Sequence, residues 1–150
     1  MRFARFVASG FGTGYVPIAA GTVASAAALV TGGALLQVSP VALAVAALLA
    51  TLGGAVAVAR AHVTGDPGWV VIDEFAGQWI SLLALSRPTL PGLLAAFLLF
   101  RLFDVTKLGP IGWADRQHSA FGIMADDVIA GAIAGGVLVL LRLLRPEWIM

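Results

Sequence analysis

Seven of the eight acidic residues fall between positions 66 and 127: Asp66, Asp73, Glu74, Asp104, Asp115, Asp126 and Asp127, with Glu147 alone in the tail. Two pairs are adjacent in sequence, Asp73-Glu74 and Asp126-Asp127. Neighbours on a helix point about 100° apart, so one member can face a bundle interior while the other faces a loop. Two such pairs from different helices, joined by Asp104, supply oxygen ligands for a cation. Hard oxygen donors, two histidines and no cysteine favour Mg²⁺ or Mn²⁺ over Zn²⁺. The expected metal set is therefore Asp73, Glu74, Asp104, Asp126 and Asp127. Helix N-capping is the competing account, because an acid in a first turn is favoured by the macrodipole. Capping suffices for one Asp; five acids in a charge-poor chain favour the metal.

The bases are interleaved with these acids. Arg101, Asp104 and Lys107 stand at i, i+3 and i+6 and share one helix face. They form a salt-bridge ladder, or they put two cations on an anionic substrate and a carboxylate on the metal; both can hold at once. Arg116 and His118 are further phosphate-binding candidates. His118 reads equally as a general acid or as a solvated loop residue. Near the start, Gly12-Thr13-Gly14 and Gly21-Thr22-Val23-Ala24-Ser25 are suited to cradling an anion, with Thr22 capping a helix start aimed at phosphate. Ordinary packing of small residues in a membrane explains the same glycines. With no cysteine, the nucleophile is water or a carboxylate.

These groups need a scaffold, and the sequence supplies an apolar one. Residues 6 to 59 contain no Asp, Glu, Lys, Arg or His. Over all 150 residues, 60% are hydrophobic and 11% charged, and the mean hydropathy is +0.98. Such a chain is neither disordered nor a water-soluble monomer, since both need far more polar surface. Nine scattered Lys and Arg make no basic patch, so nucleic acid is excluded as a partner. A signal peptide at the start is disfavoured, because Gly10, Gly12, Gly14 and Pro17 interrupt the apolar run.

The runs are too long, and too rich in Ala and Leu, for strands. The expected fold class is all-α, a polytopic membrane helix bundle with short or interrupted helices around a polar site, in one domain spanning 1–150. Residues 1–15 read as a loop or frayed interfacial helix. Spanning helices are expected over 22–36, 41–59 and 126–144, with Gln37-Val38-Ser39-Pro40 as a turn. Two shorter apolar elements, 70–85 and 91–105, carry Asp73, Glu74, Arg101 and Asp104, as interrupted helices facing protein or water would. Residues 106–124 read as a polar loop with at most a short helix. Gly131 and Gly135 form a small-xxx-small face. His62 and Trp69 stay unassigned, and Trp79, Trp113 and Trp148 read as interfacial aromatics. Arg2 and Arg5 favour a cytoplasmic N-terminus, which puts both polar segments, 60–70 and 107–116, on that side; Arg142 and Arg145, left outside, count against it.

Read in order, these blocks resemble a known family. They are Gly21-Thr22 with Ser25; Asp66-Pro67 followed by Val70-Val71-Ile72-Asp73-Glu74; Phe100-Arg101 with Phe103-Asp104 and Lys107; Pro110-Ile111 with Asp115-Arg116; and Gly122-Ile123-Met124 with Asp126-Asp127 and Ala130-Gly131. The order is similar to that of the phosphatidylglycerophosphatase A family. The resemblance implies a Mg²⁺-dependent phosphatase of the bacterial inner membrane, multi-pass, with a cytoplasmic-facing site. It would convert phosphatidylglycerophosphate to phosphatidylglycerol. It carries catalytic roles to Asp66, Asp104, Asp115 and Asp127, and substrate contacts to Arg101, Lys107 and Arg116, beside the candidates Thr22 and His118. Departures at Ala20, Ala24, Leu108 and Ser119-Ala120-Phe121 reshape loops and leave every carboxylate in place. A CDP-alcohol phosphatidyltransferase is disfavoured by the absence of an Asp-Gly-(x)-(x)-Ala-Arg block. The remaining alternative is a small membrane transporter or assembly subunit with a carboxylate-lined pathway. Oligomeric state is not fixed by the sequence.

Overall fold

The computed structural model describes residues 1–63 and 65–148, and of Trp148 the backbone alone, so the interfacial role expected for that side chain lies outside the described residues. Among them the chain is all-α, with seven helices and no strand. They are α1 (Arg2–Ala8), α2 (Ala20–Val38), α3 (Pro40–Arg60), α4 (Ile72–Leu82), α5 (Leu90–Thr106), α6 (Pro110–Asp115) and α7 (Ala120–Leu144). Short 3-10 turns at Thr13–Tyr15 and Pro146–Trp148 complete the set.

Three helices are long and apolar enough to cross a membrane: α2, α3 and α7. Their outward faces carry bare aliphatic side chains, for example Val41, Val45, Leu48, Leu49, Leu52 and Val56 along α3. A water-soluble fold would lose heavily by exposing such a stripe, whereas lipid tails accept it.

The shortest of the five bundle helices is the innermost. Nine residues of α4 are buried, Asp73 and Glu74 among them. It is wrapped by α2, α3, α5 and α7. Ser25 meets Glu74 at one end of the α2–α4 pair, and Gly32 meets Leu82 at the other, so these helices run parallel. Gly77 of α4 lies against Gly131 of α7, and Ser81 against Gly135, again parallel. The polar parts of α2, α4, α5 and α7 therefore gather at one end of the bundle.

Close approach explains the glycines at the α4–α7 crossing. A Cβ on Gly131 would fall 2.2 Å from the Gly77 carbonyl oxygen, and one on Gly77 would fall 2.5 Å from the Asp127 carbonyl oxygen. The small-xxx-small face thus locks the two acid-bearing helices together. Gly135 is looser, with its nearest neighbour at 3.7 Å.

Several boundaries differ from the sequence reading, each for a local reason. Residues 2–8 form a helix that buries Ala4 and Ala8 and packs on α3. The loop expected over 106–124 holds α6 and the first turn of α7. That turn starts at Ala120, because the Ser119 side chain caps it by accepting from Gly122 N at 3.2 Å. Gly122 is a packing residue whose missing Cβ makes room for the Ala114 carbonyl. Ser39 caps α3 in the same way, with Pro40 at its first position. Thr22 does not cap α2: Ala19 holds the cap position, at φ 51°, without a side-chain bond. Trp79 is half-buried; from α4 it packs on α2 and donates its indole N–H to the Ala28 carbonyl at 2.9 Å.

Candidate active site

The α4 backbone sets the first acids. Asp73 and Glu74 occupy its first turn, and Asp73 Oδ1 accepts from Glu74 N at 3.0 Å. Asp126 makes the equivalent bond to Asp127 N at 2.9 Å, but deeper inside α7. Neither acid caps α4, whose cap residue is Val71, so only the helix dipole favours the first pair in its first turn, and the second pair lies beyond that reach. Asp104 is presented by the last turn of α5 and is buried. Carboxylate oxygens of Asp104, Asp126 and Asp127 all lie within 4.8 Å of one another, an arrangement able to hold a metal ion. Three buried like charges at that spacing repel strongly unless a cation sits among them.

The chain supplies cations of its own. Lys107 Nζ lies 2.5 Å from Asp126 Oδ2, 3.3 Å from Asp115 Oδ1 and 3.4 Å from Asp104 Oδ1. Lys107 caps α5 in the left-handed region at φ 51°, and that turn aims its side chain back at the acids. Burial works against the ammonium, but the Asp126 hydrogen bond and the surrounding carboxylates outweigh it, so its pKa is held above the ordinary lysine value. Arg101 Nη1 bridges Glu74, at 2.7 and 2.9 Å, and Asp104 Oδ2, at 2.5 Å. Its Nη2 reaches Thr22 Oγ1 at 3.3 Å.

These groups line a cavity of about 160 Å³, walled by Asp66, Asp73, Glu74, Asp104, Lys107, Asp126 and Asp127 together with the small residues Gly21 and Gly68. Asp66 stands at its mouth, on the turn before α4. Loss of water around its carboxyl raises the pKa from the ordinary value, with Lys107 pulling the other way. Asp115 joins the rim through Lys107. Arg116 and His118 sit in the connection between α6 and α7, exposed and outside the cavity lining.

Two aromatic contacts brace the mouth from the N-terminal side. The Tyr15 and Trp69 rings stack at 6.1 Å between centroids, and Arg5 lies over Trp69 at 5.8 Å. Trp69, without a role in the sequence reading, thus ties the 65–70 turn to residues 5–15. Val71 N also donates to the Ala8 carbonyl at 3.0 Å.

The site is a buried carboxylate cluster threaded by fixed cations at one end of an apolar bundle. A sequence profile for phosphatidylglycerophosphatase A matches residues 6–142. The chain belongs to the phosphatidylglycerophosphatase A family. That makes it a phosphatase of a membrane-associated family. It is 39% identical to phosphatidylglycerophosphatase A of Escherichia coli (strain K12) over 141 residues, covering 89% of this chain and 80% of that protein. The Haemophilus influenzae phosphatidylglycerophosphatase A is 39% identical over 135 residues, covering 87% and 83%. A Bacteroides thetaiotaomicron relative named "Putative phosphatidylinositol-3-phosphatase" is 35% identical over 136 residues, covering 83% and 84%. No solved structure matches.

Sequence reasoning left Ser25 and Gly21 of the family's first block without individual roles. Ser25 is fully buried and donates to Glu74 Oε2 at 2.5 Å. Gly21 passes close beside Glu74 Oε1. The signal was available in the spacing, since Gly21, Thr22 and Ser25 share one face of a helix.

Proposed function

We propose that the protein is a Mg²⁺-dependent phosphatase that removes the terminal phosphate of phosphatidylglycerophosphate. The observation that carries this is the cluster of Asp104, Asp126 and Asp127, with Lys107 and Arg101 inserted into it, in a chain of this family. The donor set fits the metal: close-set carboxylate oxygens with no sulfur or imidazole among them. Asp104, Asp126 and Asp127 would hold Mg²⁺, with Asp73 beside them in the same cavity wall. Bound there, the ion supplies charge neutralisation for the phosphoryl oxygens.

The chain's own residues do the rest. Lys107 and Arg101 offset the charge that builds on the phosphoryl group as the ester bond breaks. Their positions are fixed in advance by Asp126, Asp115, Glu74 and Asp104, so little reorganisation is needed during the reaction. Asp66, at the mouth with a raised pKa, is placed to accept the proton of the attacking water. The water oxygen bonds to phosphorus, the glycerol–phosphate bond breaks, and the departing alkoxide takes a proton from solvent, to which Asp66 returns the one it accepted. Acyl chains remain in the bilayer against the apolar bundle while the headgroup enters the cavity.

The site end faces the cytoplasm in this reading. It carries Arg2, Arg5, Arg60, Arg101, Lys107 and Arg116, whereas the opposite end carries Arg87, Arg142 and Arg145. Arg142, at that far end, donates to the Ala84 carbonyl at 2.9 Å and Ser86 Oγ at 3.0 Å, and the orientation rests on six bases at the site end against three there.

The test is phosphate release from phosphatidylglycerophosphate by the purified protein in mixed micelles, with EDTA and with Mg²⁺ restored. Release that EDTA stops and Mg²⁺ restores is expected. Release that is indifferent to EDTA removes the metal; no release removes the substrate, and leaves the carboxylate-lined pathway of a transporter as the better reading.

A further inference from the structure

The first turns of α2 converge on one acid. Ser25 donates to Glu74 Oε2, Gly21 leaves no room beside Glu74 Oε1, and Thr22 receives Arg101 Nη2. A Cβ on Gly21 would lie 2.3 Å from that Oε1 atom, so the carboxylate is seated against bare backbone. Arg101 Nη1 then takes both Glu74 oxygens and Asp104 Oδ2. Both oxygens of Glu74 are thus engaged by protein donors. Glu74 also stands outside the group formed by Asp104, Asp126 and Asp127.

We infer that Ser25 and Glu74 are positioning residues for Arg101, and that Glu74 acts on the substrate's phosphate through that arginine rather than as a metal ligand. This rests on the phosphatase reading above. The physical reason is the geometry of guanidinium. Its donors lie in one plane, and it binds phosphate well when that plane is fixed. Glu74 and Asp104 clamp Nη1 from two sides, Thr22 steadies Nη2, and the remaining N–H groups are left for an anion. Without the Ser25 hydroxyl, Glu74 Oε2 loses a buried donor, and the carboxylate is free to rotate with the arginine it holds.

Two variants test this, Ser25→Ala and Glu74→Gln. Each is measured for KM and kcat on phosphatidylglycerophosphate and for Mn²⁺ affinity by EPR titration of the free ion. Ser25→Ala suits the helix and removes one oxygen only, and thermal unfolding in detergent verifies its fold. The expected result is KM raised about tenfold or more in both variants, with Mn²⁺ affinity within about twofold of the parent. A fall of tenfold or more in Mn²⁺ affinity in Glu74→Gln overturns the inference and makes Glu74 a ligand. Unchanged KM in Ser25→Ala overturns it as well, leaving Ser25 a packing residue. The Mn²⁺ arm needs no turnover. An inactive parent protein that still binds Mn²⁺ therefore refutes the phosphatase reading, while the Glu74→Gln titration still decides this one.

Discussion

Gly131→Ala adds one methyl group at the tightest point between the two acid-bearing helices. The new Cβ would lie 2.2 Å from the Gly77 carbonyl oxygen and 2.8 Å from its carbonyl carbon, both backbone atoms with no side-chain freedom to yield. Ordinary contact begins near 3.4 Å, so α4 and α7 must separate by about 1.2 Å. Overpacking of this kind costs about 1–3 kcal/mol, offset by up to about 1 kcal/mol from the better helix propensity of alanine. The functional loss should be larger than the structural one. Asp73 rides on α4, Asp126 and Asp127 ride on α7, and a misplacement of about 1 Å in such a constellation costs about 100-fold in rate. The control is Gly136→Ala on the same helix, where the added Cβ has nothing within 4 Å. It should be neutral to slightly stabilising and fully active. The measurements are thermal unfolding in detergent and the initial rate of phosphate release. If Gly131→Ala unfolds at the parent temperature and turns over at the parent rate, the crossing does not set the site and the packing argument fails.

Asp104→Asn and Asp127→Asn should each abolish phosphate release in saturating Mg²⁺, and parent-level turnover in both would remove the carboxylate cluster from the chemistry. Lys107→Gly and Lys107→Ala should both lose at least about tenfold in activity, because each removes the ammonium among the acids. Lys107→Gly should nevertheless unfold at a higher temperature than Lys107→Ala, since glycine accepts the left-handed backbone that costs alanine about 1 kcal/mol; equal stabilities would deny the strain. Arg142→Ala should lower the unfolding temperature by the equivalent of about 1 kcal/mol and leave KM unchanged, because its bonds to Ala84 and Ser86 lie at the far end of the bundle. A raised KM there would show coupling between the two ends.

The long apolar helices were legible because nothing in residues 6–59 competes with them: composition alone demands a lipid-facing scaffold. The acids were legible for the same reason, since charge is costly there and each carboxylate stands out. What was not legible was depth. Residues 70–85 read as a short interrupted helix facing protein or water, with nothing to mark it as central, yet α4 is the axis of the bundle, because its small and polar residues pack only when four helices surround it. Nor does spacing along the chain separate Glu74 from Asp73. Their different partners come from α2, some 50 residues away, and from the register in which Ser25 meets α4. Arg116 and His118 are exposed in the connection after α6 and do not line the cavity, although His118 is near enough to bear on the Asp66 carboxyl at its mouth.

Three helices begin at the site end, α2, α4 and α7, and two finish there, α3 and α5. Each N-terminus carries about half a positive charge from its aligned peptide dipoles, and α3 and α5 each return about half a negative one. The parallel run of α4 beside α7 thus gives the cavity a positive field that belongs to the backbone. That field offsets a small part of the crowding among the acids, and it weakens wherever salt and water reach it. No single side-chain replacement removes it. With six carboxylates on the cavity wall that field is too small to draw an anionic headgroup by itself, so variants stripped of Arg101 or Lys107 should lose attraction for the phosphate rather than settle at a floor.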